Sequence, residues 1–560
     1  MRRIVSAHWN LGILLLILVL AGILRLAKLD QIPPGLHVDE AANAWNAYTL
    51  LKTGMDQHGV RWPIFYYREF GQNPSAMMLY ALLPFQAIGG LNVWTARLPS
   101  AVASAITVWL IYFVGARLFG RLTGLTAAAM LATNPWHLQM SRFDGVDPLL
   151  ILGSLAVFLW ANMPLDDDED RRPRAWRAAL AGAVAGISCY GNPAVRLFLP
   201  LFFIGAVLLT WKGWWKHLQT REGALAICAL ALAGAIIFGP LLWKHLTDPE
   251  IMKRAQSSGW IGRESGALGG KIEIALRRYP RHFGVDFLFT RGDTNLAHAL
   301  PPGMGLFYWY EFPLMVLGVV ALILRYRSSR AARLLLLWVV LYPVADLLDE
   351  NLKMNSVRSL PGLCGLVLLV AVGAVTAGRW LWQRRQATAP ICYAMAVFIA
   401  VLNVRFLGQF YGDDFYRQKY RVMEFGADLL EAARWLRPRF NEVDAVFVTA
   451  QAGHPYITTL VGLRYDPEQW FRDARQIVQG PLPGGIYRNE DVYVRYGKIH
   501  FLVHESTIDV LKELISNGRR DRVIFIVRPG ELELDKVARP VYEVRAPDGQ
   551  VVMRIFDVYL

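Results

Sequence analysis

Long apolar runs recur along the first 410 residues of the chain. A helix needs about 20 apolar residues to cross the hydrocarbon core of a bilayer, and each run is close to that length. After residue 410 the pattern changes, because charged residues become frequent and the apolar runs shorten to strand length. The pattern therefore predicts a transmembrane domain over residues 1–410 and a soluble domain over residues 411–560.

Eleven of the apolar segments are predicted to span the membrane. They are residues 10–29, 95–117, 122–140, 147–163, 176–190, 194–211, 222–243, 310–325, 331–347, 357–379 and 389–409. If the further apolar segment 75–90 does not cross, each loop on the same side as Arg2 and Arg3 is basic, namely 117–121, 171–177, 212–217, 325–333 and 379–385. Cytoplasmic loops are enriched in Arg and Lys. We therefore predict a cytoplasmic N-terminus, an extracytoplasmic C-terminal domain, and an interfacial helix over residues 75–90.

The composition supports a membrane protein and argues against several other classes of protein. Apolar residues make up 54% of the chain and charged residues 19%, a balance too apolar for a soluble enzyme. The net charge of +14 suggests nucleic acid, but the basic residues form short clusters between apolar segments. The four cysteines form no CxxC pair, so neither a disulfide framework nor a zinc knuckle is predicted. We expect a multi-pass protein of the plasma (inner) membrane that binds no nucleic acid.

The first polar cluster follows the first span, at residues 33–40. Asp39 stands where a helix N-cap is expected, and at helical spacing it shares one face with Asn43 and Asn46. A carboxylate on a short interfacial helix can accept a proton from a hydroxyl group. Alternatively, Asp39 and Glu40 only complement the helix dipole. The residues alone leave both interpretations open.

A second polar cluster occupies residues 141–148, at the outer end of the third predicted span. Asp147 followed by Pro148 predicts a helix start with aspartate as the cap, which favours a structural role for Asp147. Asp144 has no such structural explanation. Arg142 could extend to the interface, or it could orient a carboxylate or hold a phosphate.

Cations also gather in two later outer segments. Arg291 and His298 lie in the long loop 244–309, and Lys353 and Arg358 precede the tenth predicted span. Cations just outside the apolar boundary suit an anionic headgroup or a phosphate leaving group. Interfacial anchoring is the structural alternative for each of them.

The C-terminal residues alternate between strand-like and helical patterns, which predicts a small α/β domain. Strands are predicted over residues 445–449, 499–503, 523–527 and 541–559, after an amphipathic helix over residues 420–436. The segment 451–456 follows the first strand, where loops of such sheets often bind ligands. His454 within it is interpreted as structural, with acceptor binding as the alternative.

Three strings in the membrane domain resemble a known family. They are residues 34–41 (PGLHVDEA), 96–100 (ARLPS) and 134–138 (NPWHL), the last leading into Ser141 and Arg142. Together they resemble the GT-C membrane glycosyltransferases of the protein-mannosyltransferase and lipid A aminoarabinose-transferase type (glycosyltransferase family 39-like). The resemblance covers residues 1–410 and is strongest over the first 150.

The resemblance implies a bundle of transmembrane helices with interfacial helices in the first outer loop. It also implies inverting transfer of a sugar from a polyprenyl-phosphate carrier to a protein, lipid or glycan acceptor at the outer face. Asp39 corresponds to the catalytic acidic residue, expected as the general base, and Glu40 to its partner. The expected donor phosphate and sugar contacts are Arg142, Asp144, Arg291, His298, Lys353 and Arg358. Further polar residues expected at the site are His37, Asn43, Gln72, Asn73 and Asp147.

The sequence departs from the resembled family before the interfacial helix. Relatives often carry a charged residue followed by Pro-Pro, whereas this chain has Gln72-Asn73-Pro74-Ser75. A charged contact to the donor is therefore either missing or replaced by Gln72 or Asn73, so the identity of the sugar and a changed activity both stay open.

Metal use and two rival functions also stay open from the sequence. Asp39, Asp144 and Asp147 could form an oxygen site for Mg²⁺ or Mn²⁺, although metal-independent transfer is favoured. A transporter or flippase of lipid-linked sugars would predict ionisable residues deep in the spans and often an internal repeat. Neither pattern is visible in the sequence. A non-catalytic membrane scaffold would leave Asp39, Arg142 and Asp144 freely replaceable.

Overall fold

The structure of the protein is a computed structural model. It describes residues 2–70, 73–143, 145–165, 172–249, 268–347, 354–416, 418–479, 491–502, 512–513, 515–516, 520–536 and 538–559.

The α-helices of the described residues are numbered in chain order. They are α1 (Arg2–Leu26), α2 (Val38–Thr53), α3 (Met77–Gly89), α4 (Val93–Phe119), α5 (Arg121–Thr133), α6 (Pro135–Met140), α7 (Val146–Trp160), α8 (Ala175–Ser188), α9 (Pro193–Leu209), α10 (Trp211–Leu218), α11 (Arg221–Thr247), α12 (Leu268–Arg278), α13 (Glu311–Leu324), α14 (Arg330–Leu341), α15 (Val344–Leu347), α16 (Leu363–Gln383), α17 (Arg385–Tyr411), α18 (Asp413–Tyr416), α19 (Lys419–Glu424), α20 (Ala427–Leu436), α21 (Pro455–Leu463) and α22 (Pro467–Arg472).

Short 3₁₀ turns and the strands complete the secondary structure. The 3₁₀ helices are Tyr279–Phe283, Leu360–Gly362, Arg437–Glu442 and Glu531–Lys536, and a single π-helical turn covers Asp286–Thr290. The strands are β1 (Ala445–Val448), β2 (Arg475–Gln479), β3 (Asp491–Tyr496), β4 (Ile499–Phe501), β5 (Arg522–Val527), β6 (Tyr542–Arg545) and β7 (Val551–Tyr559).

The chain forms two compact units, each built from two stretches of sequence. The helical unit contains Met1–Ala27 and Pro99–Phe410, and the mixed unit contains Lys28–Leu98 and Tyr411–Leu560. The predicted boundary near residue 410 stays a prediction. The mixed unit includes the first polar segment in addition to the C-terminal residues.

Glycines let helices of the helical unit approach each other closely. A Cβ at Gly182 of α8 would lie 2.1 Å from the carbonyl oxygen of Leu230 in α11. A Cβ at Gly373 of α16 would lie 1.8 Å from the carbonyl oxygen of Leu314 in α13. Small residues at such crossings favour helix association in membranes, where backbones must pack without a hydrophobic driving force.

Long apolar helices support a membrane protein without fixing the number of spans. Among the described residues, three helices are long and apolar enough to cross a membrane, namely Val93–Phe119, Arg221–Thr247 and Leu360–Gln383. The pair Pro193–Leu209 and Trp211–Leu218, bent by 77°, gives a fourth if it forms one span. Shorter apolar helices include Asn10–Leu26, Met77–Gly89, Val146–Trp160, Glu311–Leu324 and Val397–Tyr411. The count of eleven spans and the interfacial position of α3 stay predictions.

The mixed unit contains a seven-stranded sheet in the order β2-β3-β4-β1-β5-β7-β6. Strand β1 is central and pairs in parallel with β4 and β5, and the other neighbours are antiparallel. The predicted α/β character of the C-terminal residues therefore agrees with the observed sheet.

Two predicted C-terminal elements are wrong in detail. The predicted strand 541–559 is a hairpin of β6 and β7, because Gly549 takes a positive φ of 86° in the turn between them. The predicted helix 420–436 is divided into α19 and α20 at Gly426, whose φ of 54° is left-handed and ends a helix.

One hydrophobic core joins the two stretches of the mixed unit. Ala41, Ala44 and Trp45 on one face of α2 are fully buried with residues of α20, α21 and the sheet. Burial of such residues removes apolar surface from water, which stabilises the folded state by about 25 cal/mol for each Å² buried. The helix that begins beside Asp39 is therefore held by the core of the C-terminal residues.

Candidate active site

The first turn of α2 is fixed by a reciprocal cap. The N-cap is His37, whose Nδ1 accepts a hydrogen bond from the backbone N–H of Asp39 at 3.3 Å. The Glu40 carboxylate accepts in return from the His37 backbone N–H at 2.9 Å. The expectation that Asp39 caps this helix is wrong, since His37 already satisfies the first turn. The Asp39 side chain is 62% exposed.

Glu40 is held by a buried arginine. Arg97 Nε lies 2.8 Å from Glu40 Oε1, and both side chains are almost fully buried. The same guanidinium donates to the carbonyl oxygens of Leu29 (3.0 Å), Pro33 (2.7 Å) and Gly35 (2.8 Å). Arg97 therefore ties down the whole loop before α2, and Glu40 serves as its counter-ion.

Polar groups surround Asp39 within the mixed unit. His37 Nδ1 lies 3.6 Å from Asp39 Oδ2, and His37 Nε2 lies 4.0 Å from Glu424 Oε1. One turn further along α2, Asn43 donates to the carbonyl oxygen of Asp39 at 2.9 Å and accepts from the Tyr67 hydroxyl at 2.9 Å. The structure thus brings His37, Asp39, Glu40 and Asn43 together at one helix end.

A buried carboxyl that the sequence did not predict contacts the middle of α2. Glu69 is 4% exposed and accepts from Asn46 Nδ2 at 2.9 Å and Gln57 Nε2 at 2.8 Å. The Tyr456 hydroxyl donates to its other oxygen. Burial raises the pKa of Glu69 to about 8 although these hydrogen bonds act in the opposite direction, and the charge of Asp39 raises it further. Glu69 sits in a segment without periodicity, so no sequence signal marked it.

Arg142 and Asp147 lie in the helical unit. Arg142 is 1% exposed, donates to the carbonyl oxygens of Leu24 and Ala27, and lies over the Phe410 ring at 5.6 Å. Its burial excludes the alternative that it extends to the interface. Asp147 is 2% exposed. The expectation that it caps α7 is wrong, because the helix begins at Val146 with Gly145 as its N-cap.

A buried network organises His298. His298 Nδ1 lies 3.2 Å from Asp293 Oδ2, which also accepts from the backbone N–H and the hydroxyl of Ser356, both at 2.8 Å. Burial alone would raise the pKa of Asp293. The hydrogen bond and charge of His298, with the backbone N–H groups of Ser356 and Asn295, hold that pKa below its ordinary value. Asp293 thus holds His298 in place, and it was not among the predicted site residues.

A pocket of about 710 Å³ lies beside this network. Arg281 and Arg291 bring positive charge to it, and Asp286 contributes a carboxylate. Its other lining residues are Gly284, Val285, Phe287, Gly292, Thr294 and Met354. Two guanidinium groups beside apolar walls suit an anion with an apolar portion.

Two of the other predicted residues are half-buried, and three lie outside the described part of the chain. Arg358 is half-buried, and its backbone N–H donates to Asn355 Oδ1 at 3.0 Å. Asn73 is half-buried, just before Ser75, which pairs with Tyr66 in an isolated bridge. Gln72, Asp144 and Lys353 lie outside the described residues. Within the described part of the chain, no group of three His, Cys, Asp or Glu side chains could hold a metal ion.

Residues 73–243 match a family model described as dolichyl-phosphate-mannose-protein mannosyltransferase. The fold resembles ArnT from Cupriavidus metallidurans bound to undecaprenyl phosphate, with 14% identity and a TM-score of 0.53 over 97% of this chain and 98% of that chain. The apo structure of the same protein gives 15% identity and a TM-score of 0.53, covering 98% of each chain. The predicted resemblance is confirmed. The chain has the GT-C fold of these proteins.

A more distant likeness involves the archaeal oligosaccharyltransferase AglB from Archaeoglobus fulgidus. That structure, in complex with an inhibitory peptide and a dolichol-phosphate, has 11% identity and a TM-score of 0.47, covering 98% of this chain and 74% of that chain. No curated protein matches the chain significantly in sequence.

Proposed function

We propose that the chain is a membrane glycosyltransferase that moves a sugar from a polyprenyl-phosphate carrier to an acceptor. The family match over residues 73–243 and the GT-C fold support this reaction class. The undecaprenyl phosphate bound to ArnT supports a lipid-linked donor. The protein acts at the outer face of the plasma (inner) membrane, with eleven spans and a cytoplasmic N-terminus.

Asp39 is the general base of the proposed reaction. The observation that carries this assignment is its exposed carboxylate on a helix turn that His37 and Glu40 already cap. Such a carboxylate can accept a proton without loss of a structural bond. Glu40 is a positioning residue in the proposal, because its ion pair with Arg97 holds the loop before Asp39.

The reaction is a single inverting displacement. Asp39 takes the proton of the acceptor nucleophile, whose lone pair forms a bond to the anomeric carbon. The bond between that carbon and the phosphate oxygen breaks, and its electron pair leaves with the polyprenyl phosphate. Cationic side chains offset the charge of this leaving group. Arg142, Arg291, His298 and Arg358, with Lys353, stay the proposed donor contacts.

Metal-independent transfer is part of the proposal. The leaving group is a phosphate monoester whose charge arginine, lysine and histidine can offset. Addition of a chelator should therefore leave the transfer rate unchanged, and restoration of a lost rate by Mg²⁺ or Mn²⁺ would contradict this part.

The test uses membranes that contain the wild-type protein, Asp39→Asn or Asp30→Asn at matched levels. Asp30 is an exposed aspartate of the same loop and serves as the control. A panel of labelled polyprenyl-phosphate sugars is supplied, and label leaving the carrier for any acceptor is followed. We expect transfer by wild type and Asp30→Asn, and a loss of at least about 10²-fold in Asp39→Asn.

Three results would contradict the proposal in different ways. Equal transfer by Asp39→Asn and wild type would remove Asp39 from the mechanism. No transfer from any donor, with native acceptors present, would favour the transporter or flippase. If no substitution in the polar clusters changes the transfer rate, the result would favour a non-catalytic scaffold beside another enzyme.

A further inference from the structure

The loop that carries Asp39 is enclosed by the C-terminal residues of the mixed unit. A Cβ at Gly35, which has a φ of 70°, would lie 2.3 Å from the carbonyl oxygen of Phe425. The His37 ring meets the Phe425 ring edge-on at 6.3 Å. On another side, a Cβ at Gly453 would lie 3.8 Å from Val38 Cγ1. The segment after β1 therefore reaches the first turn of α2.

His454, the next residue in that segment, has an unusual conformation. Its φ is 44°, in the left-handed region that glycine adopts without strain, and it stands at the N-cap of α21. Its side chain makes no capping hydrogen bond to that helix. A strained non-glycine residue whose side chain does not serve the helix is a candidate for a functional role.

The imidazole of His454 is held in place by an aromatic neighbour. Its ring centroid lies 3.9 Å from that of Phe70, with the planes tilted by 34°. Phe70 also meets the Tyr456 ring at 6.2 Å, and Tyr456 donates to Glu69. The ring is therefore packed, through Phe70 and Tyr456, against the side chains that surround Glu69.

The electrostatic surroundings keep this imidazole uncharged. Burial lowers the pKa of His454 to about 4, and His37 also lowers it, whereas the charge of Asp39 acts in the opposite direction. A neutral imidazole has one ring nitrogen that donates and one that accepts. At neutral pH it can therefore hydrogen-bond a hydroxyl group without competing with Asp39 for the proton.

We propose that His454 contacts the acceptor beside Asp39, so that the C-terminal α/β residues supply part of the acceptor site. This inference rests on the proposed transferase function. His454 forms and breaks no covalent bond. It orients the acceptor nucleophile, whose proton goes to Asp39 as described above. The acceptor thus has a polar hydrogen-bonding group at or beside the atom that receives the sugar.

The test compares His454→Phe with His500→Phe. Phenylalanine keeps the ring against Phe70 and removes both nitrogens. His500 is a matched control because it is 5% exposed, lies in β4 of the same sheet and stacks on Phe447 at 5.0 Å. Transfer is measured in membranes with the labelled donor that serves wild type. Binding of undecaprenyl phosphate to the purified protein is measured separately.

We expect His454→Phe to reduce transfer about tenfold or more, the effect of one lost hydrogen bond to the acceptor. Binding of undecaprenyl phosphate should stay within about twofold of wild type, and His500→Phe should retain transfer. His454→Asn, which tolerates a positive φ and keeps a polar group, should restore part of the rate.

Transfer by His454→Phe at the wild-type rate would overturn the inference. If that variant does not accumulate, His454→Gly replaces it, because glycine fits the backbone and removes the ring. Wild-type transfer by the glycine variant would equally overturn the inference, and its loss with intact lipid binding would support it. Failure of the transferase proposal can be distinguished from failure of this inference, since the wild-type protein itself would then transfer no label.

Discussion

Glu69 provides the most quantitative prediction from this structure, because its buried carboxyl should make folding stability depend on pH. The residue is almost fully buried, and its pKa is raised from 4.5 to about 8. Below pH 4.5 both the folded and the unfolded chain hold this proton. Between pH 4.5 and 8 only the folded chain holds it, so a rise in pH favours unfolding.

The size of the effect follows from the shift. Each pH unit in this window costs about 1.4 kcal/mol of folding free energy, so the interval from pH 5 to pH 8 costs at most about 4 kcal/mol. Glu69→Gln should remove this dependence. Its amide oxygen can accept from Asn46 and Gln57, as Glu69 Oε2 does at 2.9 and 2.8 Å, and its NH₂ group can face Tyr456. The substitution therefore resembles the protonated acid in shape and polarity.

Thermal unfolding of the detergent-solubilised protein would measure this effect at pH 5, 6, 7 and 8. We expect wild type and Glu69→Gln to unfold at similar temperatures at pH 5 and to diverge by several degrees at pH 8. Glu468→Gln is the control, since Glu468 is exposed in α22 and should follow wild type at every pH. An unchanged difference between Glu69→Gln and wild type from pH 5 to pH 8 would refute the reasoning, because the carboxyl would then be ionised throughout.

Two further predictions concern the stability of the helical unit and of the mixed unit. Gly373→Ala should destabilise the helical unit by about 1–3 kcal/mol or more, because the added Cβ collides with the carbonyl oxygen of Leu314; Gly378→Ala, with nothing within 4 Å, should melt like wild type in detergent. Arg97→Met should destabilise the mixed unit by about 3–5 kcal/mol, since it leaves Glu40 buried without its counter-ion. Adding Glu40→Gln should recover part of that loss in the same melting assay, and no recovery would contradict the ion-pair interpretation.

Much of the helical framework could be predicted from sequence. The predicted spans 95–117 and 222–243 lie within the long helices Val93–Phe119 and Arg221–Thr247, and most of the predicted span 357–379 lies within Leu360–Gln383. Segment 75–90 is likewise helical, as α3. These elements were predictable because a helix satisfies its backbone hydrogen bonds locally, so a long apolar run specifies it without reference to distant residues.

The ends of elements were less predictable. Asp39 and Asp147 were both expected as caps, but His37 and Gly145 hold those positions. Capping depends on φ and ψ at single residues and on which side chain reaches the free N–H groups. Several residue types compete for that role, so composition near a helix start does not decide it.

The sequence by itself determined the membrane class, the apolar helices and the α/β character of the C-terminal residues, and it singled out Asp39 as a candidate. Only the tertiary structure decided that residues 28–98 share a core with residues 411–560. It alone also joined Arg97 to Glu40 and Tyr456 to Glu69. The physical reason is the range of the interactions. Hydrophobic periodicity along the sequence indicates which face of a helix or strand is buried. Buried polar pairs, in contrast, depend on chain segments that only folding brings together.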